Sequence, residues 1–255
     1  PYRERWPALE GIPWLPALGD GACSALGSAG GGGRRAALTV GTTAAVRVLG
    51  TPAERAARPP ALFAYLLDPT RVVLGAARSN AGNLAEWAAG ALRLDGGPGA
   101  VVEAVAARRP GAHGLVAVPA LAGERSPDWP VDASGALAGL RHSTTALDLA
   151  QALLEAAVLG LAGVVDVLEA VAGPLVLVGS GGAFAGSPAW PRLLADAIGR
   201  PIVTSAVPEA SARGAALFAL DRLGWMEPGA GTIDGETVVP DPVRHAAFAR
   251  LREKK

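Results

Sequence analysis

Residues 174–184 read PLVLVGSGGAF, and the reading of this stretch decides the fold. The first part is fully apolar and short, the pattern of a strand buried inside a sheet. It breaks into a glycine turn, Gly179-Ser180-Gly181-Gly182, with a helical pattern beyond. A strand that ends in glycines and leads to a helix is where open α/β sheets bind nucleotides. The phrase is not a dinucleotide fingerprint, because GxGxxG would need glycine where Phe184 stands. Nor does an acid lie about 20 residues further on: Gly199 and Arg200 fall there, with Asp196 slightly early. It is not a P-loop either, since no Gly-Lys-Ser/Thr follows. Taken alone, it favours a nucleotide or phosphate site over a structural turn by a small margin.

Working outward, Ser143 to Ala172 is the longest helical pattern, with Leu147, Leu154, Val158, Leu161, Val165 and Leu168 at helical spacing. Gly173-Pro174 stops it. Gly160 and Gly163 weaken an isolated helix but permit close approach of a neighbour. The apolar stretch from Leu149 to Gly173 could mimic a membrane span. It carries Glu155, Asp166 and Glu169, however, and each acid at mid-membrane costs roughly 2.5–3.5 kcal/mol. A buried helix is the better reading. Downstream come a helix near Pro188–Ile198, a strand at Pro201–Val203, a helix near Ser211–Leu220, and a polar C-terminal helix ending in Glu-Lys-Lys.

Upstream the pattern is different. AALTVGTTAAVRVLG at 36–50 and FAYLLDPTRVVLGAA at 63–77 are strand–turn–strand signals, with turns at Gly41-Thr42-Thr43 and Asp68-Pro69. They predict about three or four antiparallel strands. Helical patterns follow at Asn83–Leu92 and Pro98–Arg108, then a short strand in GLVAVPAL and a charged loop, GERSPDWPVD. Residues 1–19 are rich in Pro and Trp and read as extended, DGACSALGSAG as a short helix capped by Asp20, and Gly30–Gly33 as a flexible joint. An antiparallel start followed by helix–strand–helix units predicts one α/β domain with a mixed sheet flanked by helices. No repeat of solenoid length is present.

Composition narrows the function. Half the residues are hydrophobic and only 5% aromatic, which suits closely packed helices on a sheet and excludes a disordered or coiled-coil chain. Lys plus Arg equals Asp plus Glu, 23 against 23, so no global field attracts nucleic acid or an anionic membrane. The single cysteine, Cys23, excludes an internal disulfide and a thiolate zinc cluster, and fits a reducing compartment. No signal peptide is visible at the start. The opening at Pro1, inside a loop-like phrase, reads as a piece of something longer.

Few residues invite chemistry. A carboxylate at a helix start, such as Asp20, is favoured by exposed N–H groups and the helix dipole, and its flanking glycines let a substrate approach. On spacing alone a plain capping aspartate is the favoured reading, since such caps are common. The Gly41-Thr42-Thr43 turn offers N–H groups and two hydroxyls to phosphate oxygens, though most such turns bind nothing. His113, His142 and His245 have no ligand spacing and read as surface or loop residues. No GxSxG elbow is present. Cys23 lies in a small-residue helix and reads as buried and inert. Trp87 and Trp190 could flank a pocket, with core packing as the default.

In order, these phrases resemble the C-terminal half of the FGGY carbohydrate kinases, gluconokinase-like members in particular, from about Trp6 to Leu220. GDGACSALGSAG looks like the segment carrying the catalytic base, LTVGTT like the second phosphate motif, and VVLGAARSNAGNLAEW like the family's Asn-Gly-rich stretch with alanines replacing glycines. GERSPDWPVDASGALAGL with DLAQALLE resembles the C-terminal signature, and LVLVGSGGAFAGSPAWPRLLADAIGRPI the adenosine motif. The resemblance implies an actin-like, RNase-H-like lobe that binds ATP in a cleft facing a second lobe. It implies that Asp20 takes the proton of the sugar hydroxyl and that Thr42 and Thr43, in the turn opened by Gly41, contact the β- and γ-phosphates. Gly181 and Gly182 would pack under the adenosine and α-phosphate, Asn83 would line the nucleotide pocket, and Ala183 would touch the base. ATP and Mg2+ are the implied cofactors. The metal is organised mainly by an N-terminal lobe that this chain lacks, so the chain spans 1–255 as one nucleotide-binding domain and alone is expected to phosphorylate nothing. The implied substrate is a sugar or sugar acid, gluconate favoured. The implied setting is cytoplasmic, without nucleic acid or membrane and with room for a homodimer. The other readings are an actin-like nucleotide sensor without catalysis and a Rossmann-type oxidoreductase. The presence of a base speaks against the first and the glycine spacing against the second.

Overall fold

The computed structural model describes residues 2–30, 34–128, 130–205, 207–226, 231, 233 and 235–253. Gly31–Gly33 of the expected joint, Trp129 of the charged loop and the final Lys-Lys lie outside them. The chain opens with a short helix α1 (Tyr2–Arg5) and a 3-10 turn at Pro7–Leu9, and continues to α2 (Asp20–Ala29). Two strands follow, β1 (Arg35–Val40) and β2 (Ala44–Gly50), then α3 (Pro52–Ala57), β3 (Phe63–Leu66) and β4 (Val72–Arg78). Next come α4 (Gly82–Ala91), α5 (Gly97–Ala106), β5 (Val116–Val118), β6 (Ala136–Ala138) and the 27-residue α6 (Ala146–Ala172). The last third holds β7 (Val176–Ser180), α7 (Gly182–Gly186), α8 (Ala189–Ile198), β8 (Ile202–Thr204), α9 (Ala210–Arg222), β9 (Thr237–Val238) and α10 (Pro242–Arg252).

Among the described residues seven strands form one mixed sheet in the order β3-β4-β2-β1-β7-β8-β9, and β5 and β6 make a separate ribbon. From β3 to β1 the pairing is antiparallel, as two hairpins require. β1–β7 and β7–β8 are parallel, and β9 returns antiparallel. The central strands are apolar on both faces because helices cover both. Ala36, Leu38 and Val40 of β1 face the main core with Val158 and Leu161 of α6. Ala37 faces the other way, packing with Ala25 and Ala29 of α2 and Val178 of β7.

On that second face α2 and α9 cross with their backbones in contact. A Cβ at Gly27 would lie 1.7 Å from the Ala210 carbonyl oxygen, and one at Gly214 would lie 1.8 Å from that of Cys23. Only glycine fits at either position. Of the two glycines inside α6, Gly160 is approached closely: its Cβ would sit 3.1 Å from Nη2 of Arg78, whereas Gly163 faces open space. α6 starts at a capping box in which the Thr145 hydroxyl and the Asp148 carboxylate each accept the other's backbone N–H. The N–H of Thr145 foremost, with its hydroxyl and the Arg108 guanidinium 2.5 Å away, holds the Asp148 carboxyl down at about 2, although burial pushes the other way. No helix among the described residues is long and apolar enough to cross a membrane.

Several readings change, the extended reading of residues 1–19 among them, since α1 and the 3-10 turn fall there. Asp20 is the first residue of α2 rather than its cap; Gly19 occupies the cap position, and Asp20 Oδ1 accepts the N–H of Gly21 at 2.7 Å. His113 lies in a turn, as a loop residue does, but its side chain is not at the surface. Its Nδ1 accepts the Leu115 N–H at 2.9 Å, so Nε2 carries the proton toward Glu155 Oε2 at 3.1 Å, and both side chains are buried. A carboxylate 42 positions away makes burial tolerable, and nothing local announces it.

Two outcomes follow for stability. Gly214→Ala should destabilise by about 1–3 kcal/mol through backbone clash, read as a lower urea midpoint at unchanged slope; an unchanged midpoint would contradict the α2–α9 crossing. Asp148 has a native pKa below its unfolded value, so its stabilisation is full above about pH 4 and lost on acidification toward 2. Asp148→Asn should therefore lower the melting temperature at pH 7, with the gap from wild type closing as calorimetry is repeated at lower pH.

Candidate functional site

β1 and β7 are neighbours and parallel, with Thr39 opposite Ser180, so the turns that follow both strands leave the sheet at one edge. The two hydroxyls lie 3.4 Å apart beneath these turns. Gly181 has φ +104°, in the left-handed region, and a Cβ there would lie 2.4 Å from the Val40 carbonyl oxygen. Glycine is thus required for the two turns to touch. α7 begins one residue later.

Between the turns lies a cleft of about 370 Å³, lined among others by Gly41, Thr42, Gly82, Glu86, Gly182 and Ala183. Trp190 of α8, 3% exposed, forms part of its wall while packing in the core. The Thr42 and Thr43 hydroxyls make no hydrogen bond among the described residues, and both residues are exposed. On the far side of α7 a second cavity, about 540 Å³, is lined by Gly181, Phe184, Arg192, Thr204 and Glu236. A third, about 530 Å³, lies within the N-terminal segment around Trp6 and Trp14 and holds none of the candidate residues.

Asn83 meets this edge through its backbone. Its N–H donates to the Thr42 carbonyl at 3.1 Å and the Gly82 N–H to that of Gly41 at 3.0 Å. The Asn83 amide is taken up by its own loop, accepting from Ala81 N–H at 2.8 Å and donating to the Ser79 carbonyl at 3.1 Å. The opposite wall is held by Glu103 of α5. One oxygen accepts from the Ser187 hydroxyl (2.8 Å) and the Ala189 N–H (3.2 Å), and the other pairs with Arg192 at 2.7 Å.

Asp20 lines none of these cavities. It is exposed, at the start of α2 on the sheet face opposite α6. Beneath that first turn lie Tyr65 of β3 and Arg47 of β2: a Cβ on Gly21 would be 2.8 Å from the phenol oxygen and 3.1 Å from Arg47 Nε. Burial raises the Tyr65 phenol pKa, the Arg47 cation works against that, and the Asp20 charge adds to it. Burial, then the Asp20 charge, also pushes the Cys23 thiol up, away from the reactive thiolate. The glycine turns could be found from sequence. Glu86 and Glu103 could not, because an exposed helical glutamate and a clamp across 84 positions look alike locally. Trp87, weighed beside Trp190, is exposed and lies outside the cleft.

A sequence model of the FGGY family of carbohydrate kinases, C-terminal domain, matches residues 36–221. Gluconokinase of Bacillus licheniformis is 31% identical over 250 residues, covering 92% of this chain and 47% of its own length. The crystal structure of gluconate kinase from Lactobacillus acidophilus superposes with a TM-score of 0.77 at 25% identity, over 92% of this chain and 49% of that one. Xylulose kinase from Rhodospirillum rubrum gives 0.76 at 29% identity, over 97% and 51%. The chain thus spans about half the length of the curated relatives it matches. Its fold is that of the actin-like ATPases to which these sugar kinases belong. The chain is a member of the FGGY family of carbohydrate kinases, matching that family's C-terminal domain.

Proposed function

We propose that this chain is the nucleotide-binding half of a kinase that transfers the γ-phosphoryl group of ATP to a hydroxyl of a sugar or sugar acid, gluconate favoured. One observation carries the reading: two glycine turns meet across parallel β1 and β7 and open a cleft at the carboxyl edge of the sheet. The Gly41-Thr42-Thr43 turn, with two unengaged hydroxyls, is assigned to the β- and γ-phosphates. Gly181, Gly182 and Ala183 are assigned to the α-phosphate and adenosine. Glu86 is the carboxylate on the cleft lining, and like charges repel, so the nucleoside rather than the phosphates belongs at its end. The sensor reading is not favoured, because the similar proteins named above are kinases.

Phosphoryl transfer passes through a loose transition state, so the protein mainly positions the groups and stabilises their charge. Asp20 suits a late proton acceptor: one oxygen is steadied by the Gly21 N–H, and the other makes no hydrogen bond among the described residues. A Mg2+ ion accompanying ATP neutralises phosphate charge. No group of three His, Cys, Asp or Glu among the described residues could hold it. Its organisation, like most sugar contacts, is assigned to an N-terminal lobe outside this chain.

In the two-lobed enzyme, Asp20→Asn should cut turnover by about 10²–10⁴-fold while leaving ATP affinity nearly intact. Retained turnover would sink the assignment of the base. This chain alone should bind ADP weakly in a calorimetric titration and show no turnover in a coupled assay with gluconate; sustained turnover would overturn the half-enzyme reading.

A further inference from the structure

The charged loop after β5 forms a clamp that ends on the phosphate turn. Glu124 is 7% exposed, and a carboxylate so deeply placed must be paired. Oε2 lies 2.9 Å from Arg78 Nη2, while Oε1 accepts the N–H groups of Ser79 at 2.7 Å and Arg125 at 2.9 Å. Arg78 Nη1 donates to the Ser126 carbonyl at 3.0 Å. Its guanidinium lies against Gly160 of α6, where a Cβ would be 3.1 Å from Nη2. Glycine in mid-helix is unfavourable on its own, and here it makes room for this ion pair.

Three further contacts run alongside. Asn80, 1% exposed, donates to the Gly123 carbonyl at 2.6 Å and accepts the Ala122 N–H at 3.1 Å. The Ser126 N–H donates to Ala77 at 2.9 Å. Segment 122–126 is thereby fastened along 77–80, the end of β4 and the loop that follows.

From Ser79 the chain of bonds continues. Its N–H is held by Glu124, and its carbonyl accepts the Asn83 amide. The Gly82 and Asn83 N–H groups then hold the carbonyls of Gly41 and Thr42. A Cβ on Gly82 would sit 2.4 Å from the Gly41 oxygen, so this junction has no slack. Thr42, whose carbonyl is held in this way, lines the cleft.

We propose that Glu124 and Arg78 are positioning residues for the phosphate-contacting turn: their ion pair, through Ser79 and Asn83, sets where Gly41 and Thr42 stand and hence how tightly nucleotide is held. This rests on the nucleotide reading of the cleft. It assigns to the GERS segment, 45 positions from the loop it holds, a task at the nucleotide site without contact with nucleotide.

The test uses this chain, with Glu124→Ala, the isosteric Glu124→Gln, Arg78→Lys, and Asp148→Asn as a control that removes a distant ion-paired charge. Amide hydrogen exchange at Gly82 and Asn83 reports the turn without any ligand, and ADP titration reports the site. Glu124→Ala should speed exchange at those two amides about tenfold or more, the loss expected for a hydrogen bond to a charged acceptor. The Leu38 and Val46 amides should remain as protected as in wild type. ADP affinity should fall about tenfold by the same reasoning, with Glu124→Gln and Arg78→Lys in between, while Asp148→Asn leaves ADP affinity unchanged and does not raise exchange at Gly82 and Asn83 beyond any rise at Leu38 and Val46. Should Glu124→Ala fail to fold, the Gln and Lys variants carry the test. Unchanged exchange at Gly82 and Asn83, or exchange rising equally throughout the sheet, overturns the proposal. So does faster exchange with undiminished ADP affinity. A wild-type chain that takes up no ADP is seen before any variant is made, and it removes the nucleotide reading together with this inference.

Discussion

Two strands far apart in sequence, β1 and β7, lie side by side and run in the same direction, and this pairing sets where everything else goes. On one side of it the sheet is antiparallel, two hairpins set side by side with α3 between them in the chain. On the other it is wound through helices. The junction of the two patterns leaves a crevice at the carboxyl edge, because connections depart in opposite senses from adjacent strands. Had β7 paired in the reverse sense, the Gly41 and Gly181 turns would lie at opposite ends of the sheet and share no cleft.

The pairing works only because the backbones at the edge come very close. Gly181 sits on the Val40 carbonyl and Gly82 on that of Gly41, so three chain segments converge where side chains would hold them apart. Five glycines bring main chain to the cleft lining, and two buried or half-buried glutamates brace its walls: Glu103 through Ser187 and the start of α8, Glu124 through the loop before α4. Main-chain groups cannot choose new rotamers, which suits a surface meant to meet phosphates in one geometry.

Much of this was legible beforehand, for reasons that differ from element to element. The strands around Gly41 and Asp68-Pro69 announce themselves because turn chemistry and β-branched runs are local. α6 announces itself through spacing and its Gly-Pro stop. The short elements α3, α7, β6 and β9 stayed hidden: β6 and β9 are only 3 and 2 residues long and owe their form to the strands they pair with. Gly160 and Gly163 looked interchangeable, yet only the first has a neighbour, since that depends on where Arg78 of another strand arrives. His113 misled for the same reason. Asp20 was placed at the right helix start but one position off, because Gly19 fills the cap. The family was legible as five phrases in order. The clamp inside one of them, GERS, was not, because its partners at Arg78 and Ser79 are tied to it by folding alone.

The crossing of α2 and α9 bears on the order in which the molecule is made. The helix that carries Asp20 rests on Ala210 and Gly214, which are synthesised roughly 190 residues later, on the order of ten to forty seconds at ordinary elongation rates. Throughout that interval α2 has strands to lie on, with Ala25 in one cluster with Ala37 and Leu26 in another with Val73, but it lacks the helix that crosses it. The proposed proton acceptor is therefore made well before the last of its supports, and α2 does not reach its final setting on a nascent chain before α9 has docked.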